Sequence, residues 1–204
     1  MIISTITEAI GSTPLYRFDN QHYSMPKGSA IYAKLEYLNP GGSIKDRLGS
    51  YLIKEGFAQG KINEKTTIIE PTAGNTGIGS GGTFAGTSTF LKEKYPDIRI
   101  IGVEPEGSVL NGGDPAPHEI EGIGVEFIPP FLSPLSINQI ETISDVEGFN
   151  YTRQLAREQG LLVGSSSGAA FAAALREIRR LPPGHRVVTI FPDAADRYLS
   201  KNIY

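Results

Sequence analysis

The sequence predicts an α/β protein with a largely parallel sheet. Short β-rich runs, "AIYAKLEYL" (30–38), "RIIGVEP" (99–105) and "RVVTIFPD" (186–193), alternate with segments of helical period. The 24 glycines cluster, and the clusters fall where a strand hands over to a helix. In such sheets ligands bind at the carboxyl ends of strands, where loops feed helix N-termini. There are no internal repeats, charge runs or low-complexity tracts.

Taken in order, residues 1–15 read as a short helix ending near Gly11, then a turn at Thr13-Pro14. The strand at 30–38 ends at Asn39-Pro40-Gly41-Gly42. An amphipathic helix follows over 43–60, with Ser43 as N-cap and Ile44, Leu48, Tyr51, Leu52 and Phe57 near one face. "TTIIEPT" (66–72) is a buried-type strand and "AGNTGIGSGGT" (73–83) a glycine-dense loop. Residues 84–95 read as a helix stopped at Pro96, and 106–124 as irregular. "VEFIPPF" (125–131) is an edge strand, limited by its two prolines. "NYTRQLAREQG" (150–160) is a helix closed by Gly160, "LLVG" (161–164) a strand, and 165–181 an Ala-rich helix.

The 204 residues allow one or two domains with a real core, and 39% hydrophobic with 20% charged residues fits a soluble globular chain. A net charge of −3 gives no field to attract nucleic acid. With no Cys, disulfides and thiolate metal sites are excluded, and the three His are too scattered for a metal site. No stretch approaches the roughly 18 apolar residues of a membrane span, and no signal peptide is seen, so a cytoplasmic protein is expected.

Four loops carry chemistry-bearing residues. In "NPGGSIKDR", Lys45 falls in the first turn of a helix, where the dipole disfavours its charge. That suits an amine nucleophile, although a solvated surface lysine is the plainer reading of this segment alone. In "EPTAGNTG", Thr72, Gly74, Asn75 and Thr76 could receive a carboxylate, or form an ordinary Asn turn. "GSGGT" (79–83) ahead of a helix suits a phosphate, but a flexible connector fits equally. "GSSSGAA" (164–170) offers neutral hydroxyls at the end of a strand, more than one N-cap needs. Together they supply an amine, a carboxylate receptor, an anion loop and a neutral hydrogen-bond partner, the parts for pyridoxal 5′-phosphate (PLP) chemistry on an amino acid.

"GSTPLY", "LEYLNPGGSIKDR", "PTAGNTGIG", "GSGGT", "VEPEGSVLNGG", "EGIGVEFIP", "GSSSGAA" and "FPDAADRYL" together resemble the cystathionine β-synthase and cysteine synthase (O-acetylserine sulfhydrylase) family of fold-type II PLP enzymes. The likeness is greatest to the bacterial O-acetylserine-dependent cystathionine β-synthases. The resemblance implies that Lys45 forms the Schiff base, Asn75 contacts the PLP hydroxyl, and Gly79, Ser80, Gly81, Gly82 and Thr83 cradle the phosphate. Ser166 would face an unprotonated pyridine nitrogen. Thr72, Ala73, Gly74, Thr76, Gly122 and Glu126 would bind substrate. The implied reaction is β-replacement on serine or O-acetylserine, with Lys45 taking the α-proton. Homocysteine would give cystathionine and sulfide would give cysteine. An acid at Glu126 resembles the cystathionine β-synthase branch and could pair with the amino group of homocysteine; a solvated edge-strand Glu is the equal alternative. The family also implies a homodimer.

The chain departs from the family in one place. "PTAGNTGIG" runs directly into "SGGTF", so most of the small mobile domain is missing at about Gly77–Ser80. The expected organisation is a parallel-sheet large domain over 1–40 and 80–204, with 41–79 as a remnant of the small substrate-binding domain. Either the deletion is real or the sequence omits an internal segment. The second is expected, because stripping that much of an α/β core would expose large apolar faces. Two other activities follow from the same residues: a cysteine synthase using sulfide only, or, if the deletion is real, a catalytically inactive PLP-fold scaffold.

Overall fold

A computed structural model describes residues 2–19, 22–63, 82–129, 132, 137–201 and 203–204. Strand β2 (Ala30–Leu35) is the middle of a three-stranded sheet. It pairs antiparallel with β1 (Leu15–Phe18) and parallel with β5 (Arg186–Phe191). A second, two-stranded sheet joins β3 (Ile101–Pro105) to β4 (Gln139–Ile143) in parallel. Two of the three pairings are therefore parallel, and the antiparallel one is confined to the edge strand β1.

Helix α4 (Ser165–Arg180) links the two sheets. One side presents Phe171, Leu175 and Ile178 to the cluster formed with Phe18, Ile31 and Phe191. The other presents Ala169, Ala172 and Ala173 to Ile120 and Ile143. The small alanines bring the helix close to its neighbours, while the larger side chains supply burial worth about 1.5–3 kcal/mol apiece. The Phe171 ring lies 4.5 Å from Phe18, 4.8 Å from Tyr23 and 5.8 Å from Tyr151, centroid to centroid. Helix α3 (Asp145–Gln159) crosses α4 closely at Gly168, where an added Cβ would lie 2.2 Å from both Gly148 O and Thr152 Oγ1. Ser144 caps α3, and Gly160 closes it in the left-handed region at φ 66°.

Several expectations are corrected. The N-terminal helix is a single 3-10 turn, Ile6–Ala9, with no buried residue to extend it against. α3 begins five residues before the predicted Asn150, at the Ser144 cap. "LLVG" is not a strand; Val163 makes one isolated bridge to Ala194. Residues 125–129 are irregular rather than an edge strand, because Val125 is taken up by Ser108 Oγ and by the Val109 N–H. The predicted helix 43–60 is α1 (Lys45–Ala58), and its N-cap is Ile44 rather than Ser43. Its apolar face is not buried: Leu48, Tyr51, Leu52 and Phe57 are each about half exposed. The helix predicted at 84–95 is α2 (Gly82–Lys94), in which Ser88 alone is buried. The strand expected at 66–72 and the Gly77–Ser80 junction lie outside the described residues.

Candidate functional site

Three of the residues singled out in the sequence meet in one cleft. Lys45, Gly122 and Ser166 line it with Ser43, Ile44, Pro192 and Asp193. Each comes from a different part of the chain, and each is held by identifiable contacts.

Lys45 is the first residue of α1. Its backbone N–H donates to Ser43 Oγ at 3.3 Å, so Ser43 serves the helix start although it is not the formal cap. The turn before it is anchored by Glu36, a carboxylate only 2% exposed. Arg47 grips Glu36 with two hydrogen bonds, Nε to Oε2 at 2.7 Å and Nη2 to Oε1 at 2.8 Å. Thr13 Oγ1 and Asn39 Nδ2 donate to the same carboxylate at 2.8 and 2.9 Å. Burial alone would raise this carboxyl; the Arg47, Thr13 and Asn39 bonds outweigh it and hold the group below the usual range. The start of α1 is thus locked to the end of β2, two residues from Lys45. Burial also pushes the Lys45 ammonium below the ordinary lysine range.

Ser166 stands in the first turn of α4 and is 5% exposed. The adjacent Ser165 has separate work, accepting from the Glu121 N–H at 3.2 Å. That bond places Gly122, whose φ of 81° suits glycine. Upstream, the Asp145 carboxylate accepts from the N–H groups of Glu119 and Ile120 at 2.8 and 3.0 Å. The loop is steadied further by Glu104, fully buried, which accepts from the N–H groups of Leu110 and Asn111, both at 2.9 Å.

The remaining predicted residues are not gathered there. Gly82 and Thr83 open α2 and are exposed. Glu126 is exposed on an irregular segment and does not line the cleft. Thr72, Ala73, Gly74, Asn75, Thr76, Gly79, Ser80 and Gly81 lie outside the described residues. Two contributors went unnoticed in the sequence, the Glu36–Asn39–Arg47 clamp and Asp193. The clamp had a signal: an acid, an amide and an arginine within twelve residues of the lysine, all in "EYLNPGGSIKDR". Asp193 had none of its own. Among the described residues no group of three or more His, Asp or Glu could hold a metal, and no helix is long and apolar enough to cross a membrane.

Comparison with known proteins identifies the family to which the chain belongs. The family profile described as "Pyridoxal-phosphate dependent enzyme" matches residues 6–79 and again 77–193. A cysteine synthase of Helicobacter pylori is 49% identical over 304 aligned positions, covering 100% of this chain and 99% of the relative. The O-acetylserine dependent cystathionine beta-synthase of Bacillus subtilis is 36% identical over 303 positions, with 100% and 98% covered. Among solved structures, the O-acetylserine dependent cystathionine beta-synthase of Helicobacter pylori superposes with a TM-score of 0.93 at 49% identity, covering 100% of this chain and 99% of that one. Since this chain has 204 residues, 100 of the 304 positions have no residue in it. The family match ends and restarts at 77–79.

Proposed function

Because this chain belongs to the pyridoxal-phosphate dependent enzymes, we propose that it replaces the β-substituent of O-acetylserine or serine with a sulfur nucleophile. The observation that carries this reading is the shared cleft of Lys45 and Ser166.

The residues present fit the cofactor. PLP offers an aldehyde carbon to an amine, a ring nitrogen to a hydrogen-bond partner, and a phosphate to an anion site. Lys45 is an amine whose charge is disfavoured by burial, as a nucleophilic lysine requires. Ser166 is a neutral hydroxyl in the first turn of α4, able to donate to an unprotonated nitrogen. Gly82 and Thr83 sit at the start of α2, where free N–H groups favour a phosphate.

When bound, the cofactor serves as an electron sink for negative charge developing at the substrate Cα. The chain's own residues do the rest. Lys45 Nζ would hold the cofactor and, once free, would take the substrate's α-proton. Gly122 lines the same cleft and, lacking a side chain, adds no bulk to it. Thr72, Ala73, Gly74 and Thr76 receive the substrate carboxylate, Asn75 the cofactor hydroxyl, and Gly79 to Thr83 the phosphate. Residues 1–40 and 80–204 form the cofactor domain in this reading, and 41–79 the remnant of a substrate domain. The uncovered apolar face of α1, within that remnant, supports the division.

The nucleophile is sulfide or homocysteine, as the names of the relatives suggest. The test is product analysis with O-acetylserine and PLP, supplying each nucleophile in turn. Cysteine from sulfide, with or without cystathionine from homocysteine, is the expected outcome. Glu126→Gly should lower homocysteine use and spare sulfide if Glu126 selects the thiol. A protein that binds PLP and makes neither product is the inactive scaffold, and the enzyme reading fails.

A further inference from the structure

Residues 192–195 lie between the two halves of the cleft and are bonded to both. The Ile44 N–H donates to Pro192 O at 2.8 Å, and the Ala194 N–H donates to Gly42 O at 3.2 Å. On the other side, the Gly164 N–H donates to Asp193 O at 3.1 Å, and the Ala195 N–H donates to Leu162 O at 3.2 Å. One short segment therefore fixes both the turn that leads into Lys45 and the turn that leads into Ser166. Backbone bonds of this kind accept almost any side chain at 193, but the side chain present is specific. Asp193 is 1% exposed, and its Oδ2 accepts from the hydroxyl of Tyr198, also 1% exposed.

The carboxylate also explains a glycine. Gly164 precedes α4 with φ −68°, a conformation open to any residue. A Cβ there would lie 2.3 Å from Asp193 Oδ1 and 2.7 Å from Tyr198 Cε2. Gly164 is thus required for space rather than for backbone freedom. As the N-cap of α4 it has no side chain to offer, and the Asp193 carboxylate occupies the space beside it. The carboxylate thus lies beside the start of α4, whose positive potential favours an anion. Burial opposes this by pushing the carboxyl up, and the Tyr198 hydrogen bond and the Arg197 charge offset part of that cost.

We propose that Asp193, held by Tyr198, is a positioning residue that sets the spacing of Lys45 and Ser166 and so the fit of the cofactor between them. This rests on the reading that those two residues hold PLP. The segment 192–195 is the shared brace, and the packed Asp193–Tyr198–Gly164 contact fixes its position.

The test uses the full chain stripped of cofactor and reloaded with PLP, following the absorbance of the Lys45 Schiff base. Asp193→Asn keeps the size and the acceptor, and should bind PLP within about threefold of the parent. Asp193→Ala and Tyr198→Phe should weaken binding about tenfold or more and shift the absorbance maximum, the scale expected when a reacting group is misplaced. Gly164→Ala should do the same, and adding Asp193→Ala to it should restore part of the affinity by vacating the space. Thermal melting without PLP separates this from a simple loss of fold. Tyr198→Phe removes a single oxygen and serves where Asp193→Ala does not fold. A folded Asp193→Ala or Tyr198→Phe with parental affinity and absorbance overturns the proposal. If the parent itself forms no Schiff base, the functional reading fails first, which is a separate result.

Discussion

Helices α1 and α4 each open at the cleft, one at Lys45 and the other beside Ser166, yet they are secured in different ways. α4 buries twelve of its sixteen residues and touches both sheets, so its position follows from the hydrophobic core. α1 buries none of its fourteen, and its apolar side chains face outward. Its start is held instead by polar contacts, the Glu36–Arg47 clamp and the 192–194 brace. The wall of the cleft that carries Ser166 is thus part of the core, while the wall that carries Lys45 depends on a few directional bonds. The two helices also differ in where they fall along the family match. α1 precedes positions 77–79, where the family match ends and restarts, while α4 lies well within the second match.

The contrast can be broken most severely at Phe171. Its ring is fully buried against Phe18 and Tyr23, so Phe171→Ala should cost about 3–5 kcal/mol in a urea unfolding curve. A loss below 1 kcal/mol, on the scale of an ordinary surface substitution, would mean that α4 is not the centre of the fold.

An intermediate effect is expected at the clamp. Arg47→Met leaves the buried Glu36 carboxylate without its cation and should cost about 2–3 kcal/mol, less than a fully buried pair because Arg47 is itself partly solvated. The penalty has a pH signature. Glu36 is held below its ordinary value of 4.5, so its contribution is complete above that pH and is lost as pH falls through the depressed value. Unfolding curves at neutral and acid pH should therefore converge for the parent and Arg47→Met as the pH drops. A constant gap would assign the loss to packing of the arginine stem rather than to its charge.

The smallest effect is expected on α1. Leu52→Ala and Phe57→Ala remove large apolar groups that are more than half exposed, and each should change stability by no more than about 0.5 kcal/mol. A cost near 2 kcal/mol at either position, measured by the same unfolding curves, would show that the face is covered in solution.

The same contrast explains what could be read from the sequence. α4 was legible because its Ala-rich repeat and its serine start are local signals, and Gly160 closed α3 by its own conformational preference. α1 was legible as a helix, but its stripe of Leu48, Tyr51, Leu52 and Phe57 predicted burial that the described residues do not provide. Periodicity reports what a helix could bury; a partner has to be present for burial to occur. Strand β4 was missed because Gln139 and Glu141 look like loop residues. Glu141 is in fact buried, with Arg176 and Arg180 of α4 supplying its partners from far along the chain. Within the site, Lys45 was singled out from loop chemistry, and Gly122 and Ser166 from the family resemblance; the three line one cleft. Asp193 was not, because its role comes from lying between two turns that meet only in the folded chain.

The most direct test of the account is borohydride reduction of the PLP-loaded protein, followed by intact mass and peptide mapping. The account predicts a PLP-sized mass gain located on Lys45, rising with pH as the amine loses its proton, with a midpoint below the ordinary lysine value of 10.5. No gain in protein supplied with PLP, or a gain on a lysine outside the cleft, would contradict it.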